Sequence, residues 1–313
     1  MTLIPIETPE DFLLAQQFVI PHEETCASLA SLVRRKSDKL FFIAESDNSV
    51  VSIRPSAYST TGSPESTGLL GIINLDSTIY HCIPDPSRLD ADFLKAQLPY
   101  LMKKPVRCIS GEKNASDFLI EIVDSINCGF DTSSGLLNHP AQIYDYKMMR
   151  WLRDVVSIRS SDFSTTGISL SGGEEIVRCT EHDMEILHPL QKDYMKEEVA
   201  VPGRALTDAE VDISLRQILK NQLCFALTVD GDIVAKANTN AIGINCVQIG
   251  GVYTHPLYRR NGYAGALVQA LCKRALRSGK QPVLFVKEKN TPAFNLYRKL
   301  GFEECGRYTI AYY

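Results

Sequence analysis

The sequence predicts an α/β protein made of two units in tandem, each with helices packed on a mixed sheet. Three observations lead to this prediction. The chain has 313 residues, 44% of them hydrophobic, which is enough for about two globular domains. Its second half changes from strand-like runs to a helical period and back in a regular order. Short sequences in the first half match it in the same order, as expected for an internal repeat.

Turn residues and hydrophobic spacing define the elements of the second half. Asp230-Gly231 joins two strand-like runs and can supply the positive φ angles of a two-residue hairpin turn. Leu267 and Leu271 begin a four-residue apolar repeat that is typical of a buried helix face, and Gly279 and Gly301 are typical helix-ending residues. The predicted elements are strands at 223–229, 232–240 and 246–253, a helix through 267–276, a strand at 282–286, a helix at 291–300 and a strand at 308–313.

The first half repeats several of these local patterns in the same order. We interpret the matches as a duplication of one α/β unit, and the alternative is two unrelated halves that share common strand and turn sequences. The matching segments are Leu40-Phe41-Phe42 with Leu223-Cys224-Phe225, Gly71-Ile72-Ile73 with Gly250-Gly251-Val252, Glu112-Lys113-Asn114 with Glu288-Lys289-Asn290, and Gly129-Phe130 with Gly301-Phe302.

Composition shifts suggest the domain limits. Residues 158–173 are rich in Ser, Thr and Gly, which is typical of a linker. We therefore predict a first domain at 1–157 and a second at 174–313. A similar polar stretch at 59–64 predicts a long surface loop inside the first domain.

Charge and cysteine usage exclude several classes of protein. The 33 basic and 37 acidic residues give a net charge of −4, and no long Lys or Arg run marks a nucleic-acid site. Nine cysteines without a Cys-x-x-Cys pair favour reduced thiols over disulfides or a zinc site, and the histidines show no metal-ligand spacing. No signal peptide or membrane-spanning run is evident, so we expect a soluble cytoplasmic protein without metal, nucleic-acid or membrane partners.

The most informative segment is 250–266, which is predicted to run from a strand through a loop into a helix. Its small residues let a ligand approach the backbone, and the amides of a helix N-terminus, with Arg259 and Arg260 nearby, could bind an anion such as a pyrophosphate. Small residues there would also serve close helix packing. The segment lacks the Gly-Lys-Ser/Thr ending of a Walker loop, and with glycines only at 262 and 265 it fits a dinucleotide motif poorly.

Two blocks carry a resemblance to a known family. Residues 259–264 resemble the Gln/Arg-x-x-Gly-x-Gly/Ala loop of the GNAT superfamily of acyl-CoA-dependent N-acyltransferases. Residues 290–302, Asn-Thr-Pro-Ala-Phe-Asn-Leu-Tyr-Arg-Lys-Leu-Gly-Phe, are similar to that family's Asn-x-x-Ala-x-x-Leu-Tyr-x-Lys-x-Gly-Phe segment. The resemblance is strong over 222–302, and it implies two GNAT-like domains of which the second is catalytic.

The resemblance also implies a binding site for acetyl-CoA as cosubstrate. In this family the fourth and fifth strands separate, and the pantetheine arm lies between them as a surrogate strand. An amide on the fourth strand could also polarise the thioester carbonyl. The implied contacts are backbone groups of Val252, Tyr253 and Thr254 for the arm, Arg259, Arg260, Asn261, Gly262, Tyr263, Ala264 and Gly265 for the pyrophosphate, and the Asn290 side chain for the arm.

The catalytic candidates are Tyr297 and Glu198. The resemblance places Tyr297 where a general acid protonates the departing thiolate, although its spacing also fits simple packing of the ring. The base that takes the amine proton is not fixed by the sequence, and its candidates are Glu198, Glu197, His255 and a chain of waters. The glutamates could instead lie on a solvated helix face and His255 in an ordinary loop. Asn238 and Asn240 share one strand face, which we expect to point to solvent, and the alternative is that they line the acceptor pocket.

The first half lacks the anion-binding loop. Its corresponding segment, 81–90, has two prolines and no glycine, so we predict that this half does not bind CoA. The predicted activity is transfer of an acetyl group from acetyl-CoA to a primary amine of a small molecule, by direct attack in a ternary complex. The alternatives are an acyl-CoA sensor without turnover and a protein N-acetyltransferase. We expect a monomer with pseudo-dimeric halves or a homodimer.

Overall fold

The computed structural model describes residues 1–45, 68–102, 104–127, 139–152, 167–169, 173–199 and 205–313. The chain forms two compact units, one made of 1–148 with 306–313 and the other of 149–305. The predicted loop at 59–64, the segment at 129–130 and most of the predicted linker lie outside the described residues. Within that predicted linker, residues 167–169 form a short strand instead of a connector, because they pair antiparallel with 175–177.

The first unit alternates helices with the strands of one sheet. In chain order its elements are β1 (Thr2–Pro5), α1 (Pro9–Val19), α2 (Glu23–Arg34), β2 (Leu40–Ala44), β3 (Leu69–Asn74), β4 (Thr78–Cys82), α3 (Ala91–Leu101), β5 (Cys108–Glu112), α4 (Lys113–Asn127) and most of β6 (Gln142–Trp151). Neighbouring strands from β1 to β4 are antiparallel, and β4 and β5 are parallel. Its core includes Ile43, Ile73, Ile79, Leu94 and Leu119, all almost fully buried.

The second unit repeats that order of elements. They are β7 (Gly167–Ser169), β8 (Glu174–Cys179), α5 (Met184–Tyr194) with a π-helical turn (Met195–Val199), α6 (Asp208–Asn221), β9 (Cys224–Val229), β10 (Asp232–Ile242), β11 (Cys246–Thr254), α7 (Tyr263–Arg277), β12 (Gln281–Lys287), α8 (Thr291–Leu300) and the start of β13 (Phe302–Tyr312). Strands β8 to β11 are antiparallel neighbours, and β11 and β12 are parallel.

The two units therefore share one sequence of elements and one pattern of strand pairing. Apart from the additional short strand β7 at the start of the second unit, each has a strand, two helices, three strands, a helix, a strand, a helix and a final strand. The prediction of two similar α/β units is confirmed. The hairpin turn is also confirmed, since Asp230 and Gly231 both have positive φ angles, +49° and +91°.

The last strand differs from its predicted place. The sequence predicts this strand at 308–313 in the second domain, whereas β13 begins at Phe302. Its residues 308–312 pair antiparallel with β5, so that the chain end from Gly306 on belongs to the first unit. No repeat or turn signal in the sequence distinguishes this pairing. Among the described residues, no helix is both long and apolar enough to cross a bilayer.

Candidate active site

The second unit has a gap between two neighbouring strands of its sheet. β11 and β12 run parallel, and their pairing extends only as far as Ile249 with Leu284. Beyond that point β11 continues to Thr254 and β12 to Lys287, but these described segments are not paired with each other. Backbone groups of residues 250–254 along that edge can therefore bind a ligand that lies in the gap like an added strand.

A β-bulge lies at the start of the gap. β10 pairs Lys236 with Tyr253 and Asn238 with Gly250, so two residues of β11 oppose a single residue of β10. One of them, Gly251, has a φ of +57°. Since side chains disfavour this left-handed conformation, glycine is the residue that allows the strand to bend here.

The helix that follows the gap begins without a side-chain cap. Gly262 is the N-cap of α7 with a φ of +83°, and no side chain hydrogen-bonds the first amides. Arg260, two residues earlier, also has a positive φ, +71°. Backbone turns of this kind gather amide donors into a concave surface, and the helix dipole adds positive potential there. Residues 259–262 are exposed, so this surface can receive an anion.

Two buried polar atoms at the end of β11 lack hydrogen-bond partners among the described residues. They are Oγ1 of Thr254 and Nδ1 of His255. A buried polar atom without a partner costs about 1–3 kcal/mol, so such atoms mark a place where a ligand can supply the missing bonds. Together with the gap and the uncapped helix, they fit a carrier that has an amide-containing arm and a pyrophosphate.

The other loop residues that are predicted to bind the carrier also make contacts within the protein. The side chain of Asn261 donates to the Tyr258 carbonyl at 3.2 Å, and the Tyr263 hydroxyl lies 3.4 Å from a carboxylate oxygen of Glu174. Ala264 is half-buried. Gly265 is buried, and a Cβ there would lie 3.4 Å from Leu296, so its small size also allows α7 and α8 to pack closely.

Arg259 and Tyr253 both hydrogen-bond the carboxylate of Glu197, which is one of the candidates for the general base. Glu197, in the π-helical turn, accepts a hydrogen bond from the Tyr253 hydroxyl at 2.7 Å and two from Arg259 at 2.8 and 3.1 Å. Burial acts to raise the pKa of Glu197, but these hydrogen bonds outweigh it and hold that pKa below its ordinary value. Arg259 therefore orients the π-helical turn, and a carboxylate held ionised in this way is a poor base.

Replacing Glu197 by glutamine is expected to remove a modest, pH-dependent stabilisation. A lowered carboxylate pKa stabilises the fold above the unfolded value, here 4.5, and the effect is lost as the pH falls through the folded value. Since both partners are nearly half exposed, we expect less than about 1 kcal/mol at neutral pH. Urea unfolding between acidic and neutral pH measures the difference from wild type, and the exposed Glu303→Gln variant is the control. A difference that persists or grows in acid would contradict this account.

Glu198 and Tyr297 lie close enough to act on one another electrostatically. Lys287 donates to the Glu198 backbone carbonyl at 2.6 Å and lies 3.2 Å from its carboxylate, which is a third exposed. Tyr297 is buried on α8 and packs edge-to-face on Phe302 at 6.0 Å. Burial, and then the nearby Tyr194 and Glu198, raise the pKa of Tyr297 well above its ordinary value. Its hydroxyl thus keeps its proton at neutral pH and beyond.

Asn290 forms the N-cap of α8. Its side-chain oxygen accepts a hydrogen bond from the Ala293 amide at 3.1 Å. That bond leaves the side-chain nitrogen as the atom with which Asn290 could donate to a ligand.

A buried polar cluster lies beneath the bulge, and sequence analysis missed it. Asn238 was expected to point to solvent, but it is completely buried, and only Asn240 is exposed. The expectation was wrong because the Asn238 side chain packs against the backbone of Gly251. The approach is so close that a Cβ on Gly251 would lie 1.9 Å from that side chain. The neighbouring Lys236 is also fully buried. The sequence signal for a buried lysine is that Lys236 stands between two alanines in a predicted strand.

The first unit has the separated strands but a different helix start. The β4–β5 pairing ends at Tyr80 with Ser110, and β4 continues to Cys82. The following helix, α3, is capped by Asp90, whose carboxylate accepts from the Phe93 amide at 3.0 Å. A carboxylate at this position occupies an amide and repels phosphate, and the absence of CoA binding by this unit stays a prediction.

A metal site needs several ligating side chains close together. In the described part of the chain, no three His, Cys, Asp or Glu side chains come together as ligands for an ion.

Separated parallel strands beside an uncapped helix are the site features that the resemblance to the GNAT superfamily implies for the second unit. The model of the Acetyltransferase (GNAT) family matches residues 187–302, so the C-terminal half of the chain contains a GNAT domain. No curated protein sequence matches the chain significantly.

Two solved structures share this fold over the whole chain, and a third covers less than half of it. A Drosophila melanogaster protein is 12% identical, with a TM-score of 0.58 over 99% of this chain and 98% of its own. An acetyltransferase from the GNAT family from Colwellia psychrerythraea is 9% identical, with a TM-score of 0.53 over the full length of both chains. A "predicted acetyltransferase with acetyl-CoA" from Clostridium acetobutylicum is 20% identical, with a TM-score of 0.36 over 42% of this chain and 91% of its own.

Proposed function

We propose that the second unit is an N-acyltransferase that moves an acetyl group from acetyl-CoA to a primary amine of a small molecule. The observation that carries the proposal is the gap between β11 and β12, which opens directly beside the uncapped N-terminus of α7. A strand edge for an amide-containing arm thus adjoins a donor surface for its pyrophosphate.

Binding is assigned to the backbone of the gap and the turn. Val252, Tyr253 and Thr254 would hydrogen-bond the pantetheine arm, and the amides of residues 259–265 would hold the pyrophosphate. Asn290 would donate to the arm through its side-chain nitrogen, since its oxygen already caps α8. Acetyl-CoA would supply the acyl group in activated form, as a thioester.

Catalysis is assigned to two side chains of the same unit. The neutral amine forms a bond to the acyl carbon while the bond from that carbon to sulfur breaks. Glu198 would take the proton that the amine nitrogen loses, and Tyr297 would give its hydroxyl proton to the departing thiolate. Glu198 then releases its proton to solvent, and solvent restores the proton of Tyr297. Because the amine attacks the thioester directly, the reaction requires no covalent acyl-enzyme.

Thiol release from acetyl-CoA across a panel of small amines tests the proposal. We expect calorimetry to give saturable acetyl-CoA binding, and at least one amine to give release above the hydrolysis background. Binding without release for every amine would favour a sensor, and release only with peptides would favour a protein acetyltransferase. Failure to bind acetyl-CoA would overturn the proposed function.

A further inference from the structure

A fully buried lysine lies directly beneath the proposed thioester site. Lys236, on β10, has none of its surface exposed. Its ammonium group donates to the Gly251 carbonyl at 3.0 Å and to the Asn238 side-chain oxygen at 3.2 Å, and it lies 4.8 Å from the centre of the Tyr194 ring. Among the described residues no carboxylate forms an ion pair with it.

Such a lysine is costly to the fold. Removing an ammonium group from water is unfavourable unless charge or hydrogen bonds compensate, and here the partners are two neutral oxygens and an aromatic face. Burial lowers the pKa of Lys236 to about 8. A methionine or leucine would fill the same space without this cost, so packing alone does not account for a lysine at this position.

We propose that Lys236 is a positioning residue for acyl transfer: its ammonium group fixes and polarises the Gly251–Val252 peptide, whose N–H is the first donor offered to the thioester carbonyl. This inference rests on the proposed function. It adds a residue outside both motifs that the sequence resemblance identified.

Peptide geometry carries the effect from one side of the strand to the other. The Gly251 carbonyl and the Val252 N–H belong to one planar unit and point in opposite directions because the peptide is trans. A cation that bonds the carbonyl draws electron density from the amide nitrogen, so the N–H becomes a stronger donor. The Val252 N–H points away from Lys236, and Lys236 can act on a ligand there without touching it.

The bulge gives Lys236 this carbonyl to hold. In a regular ladder the Gly251 carbonyl would bond a strand neighbour, whereas the positive φ of Gly251 turns it to a side chain. Asn238 completes the support, since its oxygen accepts from Lys236 and its nitrogen donates to the Thr239 carbonyl and to Asn240. Lysine, asparagine and glycine thus form one connected unit under the gap.

The first test measures the thioester itself. Acetyl-CoA labelled with ¹³C at the acetyl carbonyl is bound to the protein, and its carbonyl stretch is recorded by difference infrared spectroscopy. In wild type we expect a band below its solution frequency, and in Lys236→Met a loss of about half of that displacement or more. The exposed Lys220→Met variant is the matched control and should behave as wild type.

Kinetics with an amine found in the panel give a second readout. We expect Lys236→Met to lower kcat by about 10- to 100-fold while KM for acetyl-CoA stays within about threefold, because the polarised donor acts mainly in the transition state. Lys236→Arg, which keeps the charge, should retain more of kcat than Lys236→Met. If Lys236 had only a structural role, Lys236→Met would change binding and stability without a selective fall in kcat.

A pH titration of the wild type keeps the inference falsifiable if the methionine variant fails to fold. Lys236 is charged below its pKa of about 8 and loses its charge above it. The carbonyl band of bound acetyl-CoA should therefore return toward its solution frequency as the pH rises through that value.

Other titratable groups face Lys236, and their effect on the carbonyl band must be distinguished from that of Lys236. Cys179 on β8 and Cys224 on β9 act on it electrostatically, and Tyr194 packs from α5. Burial raises the pKa of Tyr194 to about 12, outside the range. A hydrogen bond with Cys179, and then the charge of Lys236, lower the pKa of the Cys224 thiol, so Cys224→Ser is measured in parallel. The titration should survive that change.

The outcomes separate the two proposals. A wild type that does not bind acetyl-CoA overturns both the function and this inference. Tight binding with the same carbonyl band in wild type and Lys236→Met, or a wild-type band that does not move as the pH passes 8, overturns the inference alone. A displaced, pH-dependent band that disappears in Lys236→Met supports it.

Discussion

Replacing Gly251 by alanine is expected to abolish acetyl-CoA binding and to lower the free energy of unfolding by about 3 kcal/mol. The residue has a φ of +57°, which an alanine adopts only with strain. A Cβ there would also lie 1.9 Å from the Asn238 side-chain oxygen. Asn238 cannot move aside cheaply, because it is fully buried and bonded to Lys236 and Asn240.

The expected loss of binding follows from the position of the bulge. Gly251 stands where β11 leaves its pairing with β12, so a shift of its backbone moves the donors of residues 252–254 that are proposed to meet the pantetheine arm. Urea unfolding gives the change in stability, and calorimetry with acetyl-CoA gives the change in affinity.

Gly250→Ala is the matched control. It adds the same methyl group one residue earlier, where φ is not in the left-handed region and the nearest atom is the amide nitrogen of the exposed Asn240 at 2.1 Å. Because that exposed side chain can rotate into solvent at the cost of the one hydrogen bond it accepts from Asn238, we expect a loss of about 1 kcal/mol and nearly unchanged affinity. Equal effects of the two substitutions would show that the bulge has no special role.

The sequence predicts those parts of the candidate site that are formed by short local motifs. The glycine-containing turn at 259–265 and the helix from Thr291 lie where the motifs placed them, because turn and cap residues act on their immediate neighbours. The repeated order of strands was also predictable, since turns and hydrophobic periods are local signals.

The rest depends on contacts between segments that are distant in sequence. Nothing local indicates that Arg259 binds Glu197, 62 residues earlier, or that Lys236 reaches the Gly251 carbonyl across the bulge. The mistaken exposure of Asn238 has the same origin. Strand alternation gives the face on which a residue lies, but only the neighbouring strand shows whether bare glycine backbone covers that face.

Tyr297→Phe is expected to lower kcat by about 100-fold with little change in KM for acetyl-CoA. The change removes one hydroxyl and keeps the ring, so the contact with Phe302 at 6.0 Å persists. Since burial raises the pKa of Tyr297, its hydroxyl stays protonated and can donate to sulfur as the thioester bond breaks. A thiolate released in the same apolar surroundings also has a raised pKa, which favours the proton transfer.

Tyr308→Phe separates this chemistry from the general cost of removing a buried hydroxyl. Tyr308 is as buried as Tyr297, but its hydroxyl lies 2.9 Å from the Ser110 hydroxyl in the first unit. Its loss should lower the free energy of unfolding by about 1 kcal/mol and leave kcat unchanged. Steady-state thiol release and urea unfolding of both variants provide the comparison. Full kcat in Tyr297→Phe, or an equal loss in both variants, would remove Tyr297 from the mechanism and leave the departing thiolate to be protonated by water.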